Sequence, residues 1–338
     1  MHDDGPVRRA AILTATGQQQ DKYQGLQVNL QPLDAQLGLF YVNAGSMVTT
    51  LGDTQIRVID DNLDGVYGSP PKSFAYPGLS KETYQPDMDS VVIGSSSRAL
   101  PWSELMQIEG SWYRMEPVNS GLMLSATPME VETGTLVLSY DGPPPAWMIV
   151  HGEGSLEGCY FDLLAEGKSG VEVPVGTYRF FVGAVVKGKK QQVMKALVLP
   201  GQGTGSWKVE KDQKVEVELG GPFGFDFQVA KSADSVAVIG TSVTIVGAHG
   251  ERYERTWNCA PRPEIVLRKA GSKKGGKGED MDMVENLNEM HEGQLVYSYA
   301  DTWRPLDTTV ENKYGNEVEV QLVEKKNKLF GKIESTWK

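Results

Sequence analysis

The strongest constraint on this chain is a two-residue rhythm of apolar and polar side chains, broken at short intervals by glycine and proline. In Thr54–Asp60, Ile56 and Val58 fall on one face, with Gln55 and Arg57 on the other. Lys214–Leu219 alternates charge strictly with Val215, Val217 and Leu219, and Glu317–Leu322 alternates polar residues with Val318, Val320 and Leu322. Successive side chains of a strand point to opposite faces, so these segments predict half-buried antiparallel strands. Thr135–Tyr140, Tyr178–Val186, Ser242–Val246 and Glu264–Arg268 are richer in β-branched and aromatic residues and predict more deeply buried strands. Asp141-Gly142-Pro143-Pro144-Pro145, Gly201–Gly205 and Gly220-Gly221-Pro222 punctuate them as turns. Short strands at this spacing give an all-β chain of tandem sandwiches, immunoglobulin-like or transthyretin-like.

The chain has 338 residues, enough for two or three domains. Boundaries near Ala126–Glu130 and Gly220–Pro222 divide it into an N-terminal β domain (1–125), a β-sandwich (126–220) and a C-terminal β domain (221–338). One segment, Glu279–Glu292, repeats Met281, Val284, Leu287 and Met290 every three residues behind an acidic first turn. It predicts one short inserted helix near 279–292. The glycine- and lysine-rich stretch Lys269–Gly278 before it predicts a flexible basic loop. Leu329, Phe330, Ile333 and Trp337 predict a docked C-terminal tail.

Charge and cysteine content exclude several classes. Net charge is 33 − 44 = −11, which opposes nucleic-acid binding. Cys159 and Cys259 are too few for a disulfide framework or a structural zinc site. They read as buried free thiols, with a single bond between them as the alternative. Nothing approaches the run of about 18 apolar residues that a spanning helix needs. Met1–Pro6 shows no apolar signal core, so no signal peptide is visible, although the chain would also fit a processed form.

One motif carries chemistry. Asp60-Asp61-Asn62-Leu63-Asp64-Gly65-Val66 follows D-x-[DN]-x-[DN]-G. Calcium takes 6–8 oxygen ligands, and a tight turn lets alternate side chains converge on it. The segment resembles the calcium loop of EF-hands and dockerins. That resemblance implies side-chain ligands from Asp60, Asn62 and Asp64, a backbone carbonyl from Val66, and a sharp turn at Gly65. It departs where the family's bidentate glutamate would stand, because this chain has Pro71. Strand signals precede the loop and Gly-Ser-Pro-Pro follows it, so it reads as an isolated loop on a β scaffold. The missing carboxylate is expected from Asp89, which opens the strand Ser90–Ile93, with Asp87 as the alternative. A lone loop of this kind followed by β-sandwich segments resembles exported bacterial multi-domain β proteins. The resemblance implies an extracytoplasmic location, where millimolar calcium would fill a weak site.

The remaining constellations are weaker. His2, His151, His249 and His291 stand without zinc-type spacing, and His249 sits in a turn. Gly201-Gln202-Gly203-Thr204-Gly205 leads into a strand, not the helix a phosphate loop requires. Glu130/Glu132, Glu153/Glu157 and Glu216/Glu218 read as outer strand faces. Trp102, Trp112, Trp147, Trp207, Trp257, Trp303 and Trp337 would stack on sugars if exposed, and otherwise pack. The sequence thus points to a calcium-stabilised structural or interaction protein, exported and non-enzymatic, with a protein or cell-surface polymer as partner. The alternative is a carbohydrate-binding accessory protein or a divergent polysaccharide hydrolase.

Overall fold

The computed structural model describes residues 19–23, 26–33, 36–42, 46–61, 65–69, 72–74, 85–118, 123–283, 290–291, 294–295 and 305–338. The architecture is all-β: the only helical pieces among them are the single 3-10 turns Gly154–Leu156, Gly167–Ser169, Lys190–Gln192 and Gly315–Glu317. No helix among the described residues is long and apolar enough to cross a membrane.

Two small sheets enclose the first core. Met47–Leu51, Thr54–Ile59, Ser90–Ile93 and Leu100–Pro101 form one, and Leu105–Ile108, Ser111–Val118 and Met123–Met129 the other. The expected alternation places Ile56 and Val58 inward, where they meet Val91, Trp102, Met106, Ile108 and Met115. Non-directional burial of such apolar area is the main force holding these short strands together.

The larger body is built on a nine-stranded sheet. Its path runs Tyr160–Asp162, Pro145–Gly152, Gly176–Lys187, Met194–Leu199, Arg252–Trp257, Ser235–Val246 and Gly224–Lys231, with Ser206–Val209 and Thr308–Glu311 paired alongside. Strands from both sides of Gly220-Gly221-Pro222 therefore share one sheet. They also share one core with Leu136, Val217, Ile265, Val320, Leu322 and Ile333. Lys214–Gly220 has the expected inward Val217 and Leu219, yet it pairs parallel with Thr133–Asp141. This corrects the antiparallel expectation, because alternation reports which face is buried and carries no information about strand direction.

The helix expected over 279–292 is also corrected. Glu279–Asp280 is a strand on Glu264–Lys269, Met283 bridges Pro305, and Met290–His291 pairs with Gln294–Leu295. Residues 284–289 and 292 of that range lie outside the described residues. Met281 is buried while Glu279, Asp280 and Asp282 are exposed, and the pairing with Glu264–Lys269, not the three-residue apolar spacing, sets the local structure. The Lys269–Gly278 segment lies along the same sheet: Gly276 N–H donates to Leu267 O, and a Cβ on Gly275 would come within 2.5 Å of Val266.

The tail docks. Phe330 meets Phe223 and Tyr253 edge-on at 5.0 and 5.1 Å, Ile333 is fully buried, and Arg268 lies 4.0 Å from the Trp337 ring centroid. The N-terminal sheets are fastened to the large sheet by a polar clamp. Arg98 donates to Asp162 Oδ2 through Nε (3.0 Å) and Nη2 (2.5 Å), and to Ala146 O (3.0 Å). Beside it, Tyr160 N–H donates to Ser103 Oγ, Glu104 N–H donates to Gly158 O, and Trp112 packs edge-on against Phe161.

Candidate metal centre

Strand pairing brings two of the expected calcium residues together. Ile59 is the register partner of Ser90, so Asp60 leaves one strand beside the point where Asp89 enters its neighbour. Both carboxylates are deeply buried, at 1% and 0% exposure. Asp60 Oδ2 accepts the Gly65 N–H at 2.9 Å, closing the turn across its own loop. Gly65 has φ +77°, a left-handed conformation that costs a glycine nothing and supplies the expected sharp turn.

Asp89 has a role that its position before a strand does not reveal. Its Oδ2 accepts the N–H groups of Gly68 (2.7 Å) and Ser69 (3.0 Å) and the Ser69 hydroxyl (3.4 Å). It thereby anchors the chain where it leaves the loop. Gly68 is required there: it has φ +81°, and a Cβ would lie 2.8 Å from the Trp102 indole. Asp61, not among the expected ligands, accepts from the Ser90 hydroxyl. Surrounding protein pushes the Asp61 carboxyl above its ordinary range, and the Ser90 bond partly offsets that. Asp87 pairs through its backbone with Lys72, in a separate two-stranded ribbon.

Asn62, Asp64 and Pro71 lie outside the described residues. Among the described residues, no three His, Cys, Asp or Glu side chains gather as a metal-binding group. What the fold places at this strand end is the buried carboxylates of Asp60 and Asp89, with the half-buried Val66 just after the turn made by Gly65. Hard oxygen donors of this kind suit calcium rather than a soft transition metal.

The other candidates resolve into structural parts. Cys159 and Cys259 are both free and buried. His151 is partly buried between Tyr160 and Phe181, with ring centroids 6.0 and 5.6 Å away. In the glycine run, a Cβ on Gly201 would meet Gly250 O at 1.9 Å, so the glycine there allows two turns to approach. Glu132 pairs with Lys211, and Glu153 with Arg179, on the surface. Trp102 and Trp112 are buried, whereas Trp257 is 43% exposed; Trp303 lies outside the described residues.

Sequence reading missed Glu251, which is fully buried. Its Oε1 accepts Gly220 N–H at 2.6 Å and the Tyr253 hydroxyl at 2.9 Å, while Tyr253 and Tyr140 hydroxyls lie 3.2 Å apart. Burial first, with the Glu251 charge adding, pushes both phenols well above the tyrosine range. The only local signal is glutamate next to a turn glycine, which is common and unspecific. This knot ties Gly220 to the Arg252–Trp257 strand, and its chemistry is that of a fastening.

No family model, no curated protein and no solved structure matches this chain.

Proposed function

We propose that this chain is a non-enzymatic, exported β protein that presents interaction surfaces, and that calcium fastens the loop of its N-terminal sheets. The observation that supports the reading is the placement of Asp60 and Asp89. Two buried carboxylates on adjoining strand ends each hold one end of the same turn. Like charges so placed destabilise each other, and a divalent cation between them would reverse the sign of that interaction. Asp60, Asn62, Asp64, the Val66 carbonyl and Asp89 would hold the ion. Bound there, calcium would supply charge neutralisation and cross-linking of the loop.

The test is calcium titration by calorimetry. The expected result is one ion per chain with a dissociation constant of roughly 10⁻⁴–10⁻³ M, the range of extracellular modules. Asp64→Ala should abolish it. Asp89→Ala separates the two closing carboxylates: loss of binding supports Asp89, and retention points to Asp87 or to water. Wild-type heats indistinguishable from buffer dilution, or undiminished binding by Asp64→Ala, would refute the reading.

A further inference from the structure

One corner of the nine-stranded sheet has the chemistry of a polymer-binding surface. The register sets Val186 beside Lys195 and Lys195 beside Trp257 on three neighbouring strands. Trp257 is the most exposed of the described tryptophans. The Lys195 ammonium stands 5.6 Å from its ring centroid, so charge and aromatic face are presented together. The adjoining hairpin tip adds Lys187, Lys189 and Lys190, all exposed. No acidic residue occurs from Lys187 through Val209.

Two further features mark this corner. Several lysines elsewhere sit against carboxylates: Lys208 with Glu210, Lys211 with Glu132, Lys269 with Glu317, Lys325 with Glu264, Lys332 with Glu334. Lys187, Lys189, Lys190 and Lys195 have no such pairing among the described residues. The backbone is also strained here. Lys190, Arg255 and Asn258 have φ of +53°, +49° and +58°, which side-chain-bearing residues seldom adopt. Asn258 Nδ2 donates to Val193 O at 2.8 Å, tying the hairpin tip to the strand end that carries Trp257. Strain of this kind persists only where surrounding contacts over-determine it.

We propose that this corner binds a carboxylated polysaccharide, with a sugar's C–H face on the Trp257 indole and the four lysines on its carboxylates. Charge density selects this partner. Duplex nucleic acid carries one charge per ~1.7 Å, and the surface of a chain with net charge −11 would repel so dense an anion. A broad anionic membrane would meet the same repulsion over a larger area. A polymer with one carboxylate per sugar can lie on the basic corner alone. This names a polymer class for the interaction role proposed above, on which it rests, and it is independent of the calcium loop.

The experiment is affinity electrophoresis and calorimetry of the full chain against polygalacturonate, neutral dextran, duplex DNA and phosphatidylserine vesicles, each in chelator and in calcium. Polygalacturonate binding that weakens with salt and exceeds the other three supports the proposal. Trp257→Ala should weaken it by between about threefold and tenfold. Lys189→Glu combined with Lys190→Glu should weaken it at least as much, and neither change should alter the melting temperature. Absence of polygalacturonate binding, equal or stronger binding of DNA or vesicles, or no response to Trp257→Ala would each overturn the proposal. Asp64→Ala serves as the separating control. It should lose calcium and keep the polymer, so failure of one reading is distinguishable from failure of the other.

Discussion

Removing the Asp162 carboxylate should cost far more than its one charge implies. The side chain is 3% exposed and takes four hydrogen bonds. Oδ1 accepts the N–H groups of Met148 (3.0 Å) and Leu164 (3.1 Å), and Oδ2 takes the two bonds from Arg98. Asp162→Ala leaves one buried main-chain donor (Met148) without an acceptor, at about 1–3 kcal/mol, and one partly buried donor (Leu164), at less because water can reach it. The lost ion pair adds less than the 3–5 kcal/mol of a fully buried one, because the Arg98 side chain remains 35% exposed and its charge is partly screened. The expected total is about 3–5 kcal/mol. Asp162→Asn keeps an acceptor for the two N–H groups and should cost about half as much. Arg98→Ala should cost roughly 1–3 kcal/mol and loosen the N-terminal sheets from the large sheet. Urea unfolding followed by tryptophan fluorescence and far-UV circular dichroism measures all three variants, and coincident transitions license the two-state analysis. A cost below about 1 kcal/mol for Asp162→Ala would show that this clamp does not hold the two parts together.

Ile333 is fully buried at the core, so Ile333→Ala should destabilise by about 2–5 kcal/mol; an unchanged urea midpoint would mean the tail is dispensable. Burial lowers the pKa of His151, against smaller raising effects from Gly152 and Glu153. Its contribution should therefore be complete above about pH 6.5 and lost as pH falls through the depressed folded value. His151→Gln should flatten that acid-side decline, and an identical pH profile would refute the assignment. Burial pushes the Cys159 thiol up to about 11, so a thiol reagent at pH 8 should label it only in denaturant, and rapid labelling of the native protein would contradict its position.

What was legible in the sequence follows from how local each signal is. The alternation around Ile56 and Val58, and that of Val318, Val320 and Leu322, needs only neighbouring residues to be read, and those side chains are inward as expected. Direction is not local: Lys214–Gly220 owes its parallel partner to Thr133–Asp141, some eighty residues earlier. The three-residue apolar spacing after Gly278 is a local signal, whereas the pairing of Glu279–Asp280 with Glu264–Lys269 that sets the structure there is not. In the candidate site, the place of Asp89 at the head of the Ser90–Ile93 strand was legible from the strand signal that follows it. Its grip on Gly68 and Ser69 was not, since no spacing rule links residues twenty apart. Glu251 and Trp257 are opposite cases of one limit. Burial of a carboxylate and exposure of an indole depend on what the rest of the chain packs against them, which one-dimensional patterns do not carry.

The central claim is that an ion fastens the Asp60–Ser69 loop, and thermal unfolding of the wild-type chain in calcium, in magnesium and in chelator tests it most directly. Calcium at a hundred times its dissociation constant should stabilise the chain by about 2.7 kcal/mol through mass action, visible as an upward shift in melting temperature. Magnesium should do much less, because it demands tighter octahedral geometry and releases its waters reluctantly. Asp64→Ala should melt at one temperature in all three solutions. Equal wild-type melting temperatures in chelator and in millimolar calcium would contradict the account and leave Asp60 and Asp89 as anchors of an ordinary turn.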